Sequence, residues 1–132
     1  MRILKLAAAC LLIGASYAAA AAVQKYDGKY KGTIAYVSGV MGGRSGGQCG
    51  FNEPQERTTV VADGNLSFVF TKSTTMTGPV QEDGSFVATG TVVNKTVISN
   101  FELKGKIENG VLKADLSSQL KTCVYKVEQK KT

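Results

Sequence analysis

The run Val97 to Ile107, VISNFELKGKI, constrains this chain most. In an extended backbone Val97, Ser99, Phe101, Leu103, Gly105 and Ile107 share one face, and Ile98, Asn100, Glu102, Lys104 and Lys106 share the other. A period of two places one face on a core and leaves the other in water. Such alternation marks antiparallel sheet, because parallel strands are buried on both faces and read as continuous apolar runs.

The same pattern recurs along the chain. Tyr26, Gly28, Tyr30, Gly32, Ile34 and Tyr36 alternate with polar residues in a first strand running to Val37. Its two inward glycines predict a bend, a bulge or a large side chain packed over them. Further strands are expected at Arg57 to Ala62, at Leu66 to Thr71 with Leu66, Phe68 and Phe70 inward, and at Thr74 to Val80, where Pro79 suggests an edge or an end. Phe86, Ala88, Gly90 and Val92 then alternate before the Val97 strand, and Val111 to Leu116 and Gln119 to Val127 follow it. Asp63-Gly64, Asp83-Gly84 and Asn109-Gly110 are hairpin signals, and Asn94-Lys95 is a further turn. The fold class is therefore all-β: an antiparallel meander of about eight strands. Open edges invite pairing with other chains, so a small up-and-down barrel is the economical closure, with a two-sheet sandwich as the alternative.

The first residues read differently. Arg2 and Lys5 form a short basic region, Leu6 to Ala18 an apolar one, and alanines follow. This is a secretory signal, with cleavage after Ala20 or Ala22. The apolar run is too short to span a bilayer, which takes about 20 residues. Cys10 precedes the main apolar run, which argues against a lipidated start. The expected domains are a signal peptide over residues 1–22 and a single β-barrel over residues 23–132, in an exported protein, periplasmic or secreted, with no transmembrane segment in the mature chain. Without Arg2 and Lys5 the sixteen basic residues become fourteen against ten acids, a net of +4. The lysines are dispersed; only Lys126, Lys130 and Lys131 gather, as a solvated C-terminal end. A nucleic-acid partner wants a clustered basic stripe and is not expected.

The mature chain retains two cysteines, Cys49 and Cys123. An even count in an oxidising compartment reads as a disulfide, worth roughly 4–4.5 kcal/mol for a loop of this length on a chain-entropy estimate. Between Ser38 and Gln55 lies SGVMGGRSGGQCGFNEPQ, glycine-rich and without a period, expected as the longest loop. Long loops in compact domains are often functional or disordered.

The chemistry is largely one of exclusions. The chain has no histidine, which removes Ser-His and Cys-His pairs and imidazole metal ligands. No cofactor motif and no metal-ligand set is present, and the Gly42–Gly50 run lacks the strand–helix context of a phosphate loop. The acids sit at expected turns (Asp63, Glu82, Asp83, Glu108) or on outward faces (Glu102). Glu53 and Glu56, flanking Pro54, are the least explained carboxylate pair.

The opening Tyr26-Asp27-Gly28-Lys29-Tyr30-Lys31-Gly32, with the later D-G-x-F hairpin and a late cysteine, resembles small exported β-rich proteins of Gram-negative bacteria whose function is uncharacterised. A fainter likeness is to the calycin barrels, the lipocalins and avidins. Their first strand carries G-x-W, to which Gly28-Lys29-Tyr30 is similar, with Tyr in place of Trp. That resemblance implies a ligand-holding interior and a basic residue on the last strand over the aromatic, here Lys126 or Lys121.

The expected function is a non-enzymatic binding module. Loops on a rigid scaffold carry binding, so the glycine-rich loop, with Met41, Arg44 and Gln48, is the expected contact with a protein partner, including an enzyme it inhibits. The alternative is a carrier of a small apolar ligand in an interior lined by Tyr30, Tyr36, Phe68, Phe86, Phe101 and Tyr125.

Overall fold

The computed structural model describes residues 24–39, 53–94, 97–119 and 123–132. A short 3₁₀ turn, Gln24–Tyr26, leads into eight strands: β1 Gly28–Gly39, β2 Gln55–Ala62, β3 Asn65–Thr71, β4 Thr74–Pro79, β5 Ser85–Asn94, β6 Val97–Glu108, β7 Val111–Ser118 and β8 Cys123–Lys131. Each strand pairs antiparallel with the next, and β8 returns to β1, so the sheet closes as an up-and-down barrel rather than a sandwich. Closure gives every described strand a neighbour on both sides, the β4–β5 seam through the single register pair Thr77–Thr89.

The alternation read from the sequence sorts the side chains. Phe101, Leu103 and Ile107 of β6 point inward and are buried, while Ile98, Asn100, Glu102, Lys104 and Lys106 are exposed. Leu66, Phe68 and Phe70 of β3, Phe86 and Ala88 of β5, and Leu112 and Leu116 of β7 complete this pattern. Each fully buried large apolar side chain contributes roughly 1.5–3 kcal/mol.

Turn chemistry sets the hairpins. Asp63 and Gly64 (φ 52° and 77°) and Asn109 and Gly110 (φ 54° and 75°) both lie in the left-handed region, the conformation whose twist matches the flanking strands. Asp83-Gly84 is not a two-residue hairpin. β4 ends at Pro79, Val80 makes only an isolated bridge to Phe86, and Gly84 alone (φ 90°) is left-handed. The three turn glycines also knit this end of the barrel together. The carbonyls of Gly64, Gly84 and Gly110 accept N–H groups from Val80 (2.9 Å), Ile107 (2.9 Å) and Lys131 (2.8 Å).

Gly32 lies where the β8 backbone closes on β1: a Cβ there would fall on the Glu128 carbonyl and within 2.6 Å of the Gln129 Cα, whereas at Gly28 it is the long Lys131 side chain that packs over the glycine. Gly78 and Gly105 face the β5 and β7 backbones in the same way. Tight coiling of a small barrel needs such corners.

Several boundaries differ from the sequence reading. Tyr26 belongs to the 3₁₀ turn, not to β1; Ser38 and Gly39 finish β1 instead of opening the loop; β2 begins at Gln55. The largest correction is at the C-terminus. β8 starts at Cys123, Gln119 is a turn residue, and Lys130 and Lys131 pair in register with Lys31 and Tyr30. They are ladder residues, not a solvated tail. The reason is Gln129. It looks like a tail residue but is 1% exposed, accepting the Thr59 hydroxyl and donating to the Arg57 carbonyl at 2.8 Å. The expected signal peptide, Cys10 and the Lys95 turn lie outside the described residues.

Candidate functional site

The meander gives the barrel two unlike ends. At one, the three short connections β2–β3, β4–β5 and β6–β7 gather with the 3₁₀ turn. At the other, residues 40–54 connect β1 to β2, and the β3–β4, β5–β6 and β7–β8 connections accompany them. The expected contact residues Met41, Arg44 and Gln48, together with Cys49, lie outside the described residues, as does Lys121.

The three tyrosines expected to act together are divided between these ends. Tyr30 plugs the closed end. It is buried, and its hydroxyl donates to the Tyr26 carbonyl at 2.8 Å, while the Tyr26 hydroxyl donates to the Glu82 carbonyl at 2.7 Å. Burial, then the nearby Asp27 carboxylate and Tyr26, push the Tyr30 phenol above its ordinary value. Tyr36 lies six residues along β1, roughly 20 Å away at strand rise. It pairs in register with Tyr125 of β8, the ring centroids 6.0 Å apart and edge-on.

Phe70 is the hub of an aromatic cluster that includes Tyr125, toward the end of the barrel opposite Tyr30. Phe70 stands 6.1 Å from Tyr125 and 5.1 Å from Phe101, centroid to centroid, and Phe68 stacks 6.5 Å from Phe70. Tyr30, Phe68, Phe86, Phe101 and Tyr125 are all buried, and Tyr36 and Val92 pack against them half-covered. The residues expected to line a ligand cup thus pack against one another in the described barrel.

Arg57 is the functional-looking residue the sequence reading passed over. It opens the inward register of β2, shared with Thr59 and Val61. Its guanidinium bridges the flared start of the β2–β3 pair. Nε donates to the Phe70 carbonyl at 2.8 Å, Nη1 to the Glu56 carbonyl at 2.7 Å and Nη2 to Gln55 Oε1 at 3.0 Å. Partial burial lowers its pKa from the ordinary value. An arginine in phase with two core positions, in RTTVVA, was the available signal.

Two shallow clefts mark the surface of the described residues. One, of about 500 Å³, lies at the closed end between Lys25, Tyr26, Lys106 and Lys131. The other, of about 600 Å³, runs outside β5–β7. In it the Thr91 hydroxyl donates to Asn100 Oδ1 (3.1 Å) and Asn100 Nδ2 to Gln119 Oε1 (3.2 Å). The first touches the core at Tyr30 and Ile107, the second at Phe101. Glu53 and Glu56 are exposed and line neither cleft. Asp83 is occupied as a turn residue: the Ser85 hydroxyl (2.6 Å) and N–H (3.0 Å) donate to it and hold its pKa below the usual carboxylate range. Lys126, one of the two lysines considered for a place over the first-strand aromatic, is exposed opposite Ala35; the lysine in register with Tyr30 is Lys131.

Compared with models of known protein families, with characterised proteins and with solved structures, the chain matches none. Among the described residues no group of three or more Cys, Asp or Glu side chains is placed to hold a metal ion, and no helix is long and apolar enough to cross a membrane.

Proposed function

We propose that this chain is an exported, non-enzymatic binding module that meets a protein partner through residues 40–52, at the end of its barrel opposite Tyr30. The observation that carries the reading is the filled interior. Tyr30, Ile34, Phe68, Leu103, Leu116 and Tyr125 are at most 1% exposed, which favours an outer contact over a ligand held inside. The glycine-rich segment with Met41, Arg44 and Gln48 follows Gly39, the last residue of β1, three positions after the Tyr36 that pairs with Tyr125.

A Cys49–Cys123 disulfide is part of the proposal. Cys123 is buried, stands in register with Gly39 and is already engaged. Cys49 lies ten residues beyond Gly39 in the contact segment, so the bond would tie that segment back to β8. The amino-terminal signal pattern supplies the oxidising compartment such a bond needs.

Deleting Gly42–Gly47 tests the reading. Crosslinking in the exported fraction of the native host is expected to trap a protein partner on the intact chain. The deletion variant is expected to lose that product while its melting temperature stays within about 3 °C, since loop length enters stability only logarithmically. A crosslinked product that survives the deletion overturns it.

A further inference from the structure

Charge is divided between the two halves of the barrel wall. Strands β1, β6, β7 and β8 carry eight lysines and four acids, a net of +4. Two lysine pairs stand directly opposite across the ladder, Lys31 with Lys130 and Lys106 with Lys113. Such like-charge neighbours are destabilising. Strands β3, β4 and β5 carry no charged residue, and β2 has only Glu56 and Arg57 near its first end. Charged and neutral residues are thus sorted onto opposite sides of one closed sheet. A solvated wall needs no such sorting.

The neutral half is also where exposed valines concentrate. Val60 is 43% exposed, Val69 46%, Val87 43% and Val93 61%. Between them stand exposed threonines, with Thr77 of β4 in register with Thr89 of β5. Threonine hydroxyls both donate and accept, so one threonine surface can satisfy another. Depletion of charge at the centre of a patch is the compositional mark of a protein interface.

We infer that the outer face of β2–β5 is the interface of a symmetric dimer of this chain. The occupant follows from charge. Face to face on the β6–β8 and β1 side, two copies would set one net-positive surface against another. On the β2–β5 side the only charges on the strands are Glu56 and Arg57 near one end of β2, with Lys72 at the β3–β4 turn, so the centre of the face meets its copy without repulsion and without desolvating a charge. A neutral surface of paired donors and acceptors complements itself, as a two-fold interface requires. Four strands at about 4.8 Å spacing and about 3.3 Å rise per residue lay out a patch of roughly 20 Å by 25 Å. That is comparable to the roughly 600 Å² per partner at the lower end of specific interfaces. The dimer is therefore weak, and it does not use residues 40–52, so it stands or falls independently of the partner reading.

Sedimentation velocity on the exported protein, from about 2 to about 200 µM, tests it across the affinity range of small interfaces. A monomer–dimer shift is expected that persists in about 1 M salt, where surface charge is screened within about 3 Å. Val69→Lys and Thr77→Lys, both at exposed positions and each checked for an unchanged circular-dichroism spectrum, are each expected to weaken the dimer at least about tenfold, or about 1.4 kcal/mol. Lys113→Glu on the opposite wall is expected to leave it unchanged. A monomer at every concentration, a dimer that salt dissolves, or a dimer that both lysine variants leave intact overturns the inference. So does a different protein found on this face in place of the second copy.

Discussion

Asp27 holds the turn at Asp63. The N–H groups of Asp63 and Gly64 donate to the two oxygens of the Asp27 carboxylate, at 2.9 and 3.1 Å. The residue that links the 3₁₀ turn to β1 therefore caps the β2–β3 hairpin, 36 positions further on. This gives the aspartate of the Tyr-Asp-Gly opening a structural task beside the glycine that follows it.

Asp27→Ala removes two charge-assisted hydrogen bonds and leaves two turn donors to water. Partial exposure moderates the loss, so a destabilisation of about 1–2 kcal/mol is expected by urea titration. Asp27→Asn keeps the shape and one good acceptor and is expected to lose less. An unchanged midpoint for Asp27→Ala would show that the turn holds itself.

Gly32→Ala tests the barrel corner. The added methyl would fall on the Glu128 carbonyl, and backbone cannot yield as a flexible side chain does. A loss of at least about 3 kcal/mol is expected, in the range of overpacked cores, read as a collapsed melting midpoint or an insoluble product. A variant that melts normally would contradict the close β1–β8 approach.

The Thr59–Gln129 pair is expected to behave as a unit. Gln129→Leu strands the Arg57 carbonyl and the Thr59 hydroxyl in the interior and is expected to cost about 1–3 kcal/mol. The double variant Thr59→Val/Gln129→Leu removes both side-chain partners and is expected to cost less than the two single changes combined. A thermodynamic cycle measures the coupling, and strict additivity would refute it.

Tyr30 predicts an alkaline limb. Its phenol titrates above 10.0, the ordinary value. The unfolded chain therefore releases this proton first as pH rises, and binds fewer protons than the folded chain. The stability it contributes is complete below about pH 10 and is lost as pH climbs from there through the folded value. Melting temperature measured from pH 8 to 11 is expected to fall more steeply in the wild type than in Tyr30→Phe. Parallel curves would remove Tyr30 from the account.

What was legible in the sequence follows the period of two. Leu66, Phe68 and Phe70, or Phe101, Leu103 and Ile107, announce their face because solvent and core alternate along a single strand. The type I′ turns at Asp63-Gly64 and Asn109-Gly110 are equally local. What escaped depends on partners distant in sequence. Gln129, Lys130 and Lys131 look like a polar end, and it is pairing with β1 and β7, together with the Gln129 contacts to Thr59 and Arg57, that makes them a strand. Asp83-Gly84 has the dipeptide of a tight hairpin, yet Pro79 ends β4 early and lengthens the connection. Tyr30, Tyr36 and Tyr125 share an inward face by parity, but parity says nothing of height along the barrel, and height separates Tyr30 from the other two. The sorting of charge onto one half of the wall was present in the composition of each strand; it becomes a surface only once the strand order around the barrel is known.

Native mass spectrometry of the chain recovered from the exported fraction of its own host, without denaturation, tests the central claim most directly. A filled barrel that binds through its outer surface predicts an added mass of protein size, and no small organic mass lost on activation. A bound small molecule that leaves on activation would place a ligand inside the barrel and contradict it.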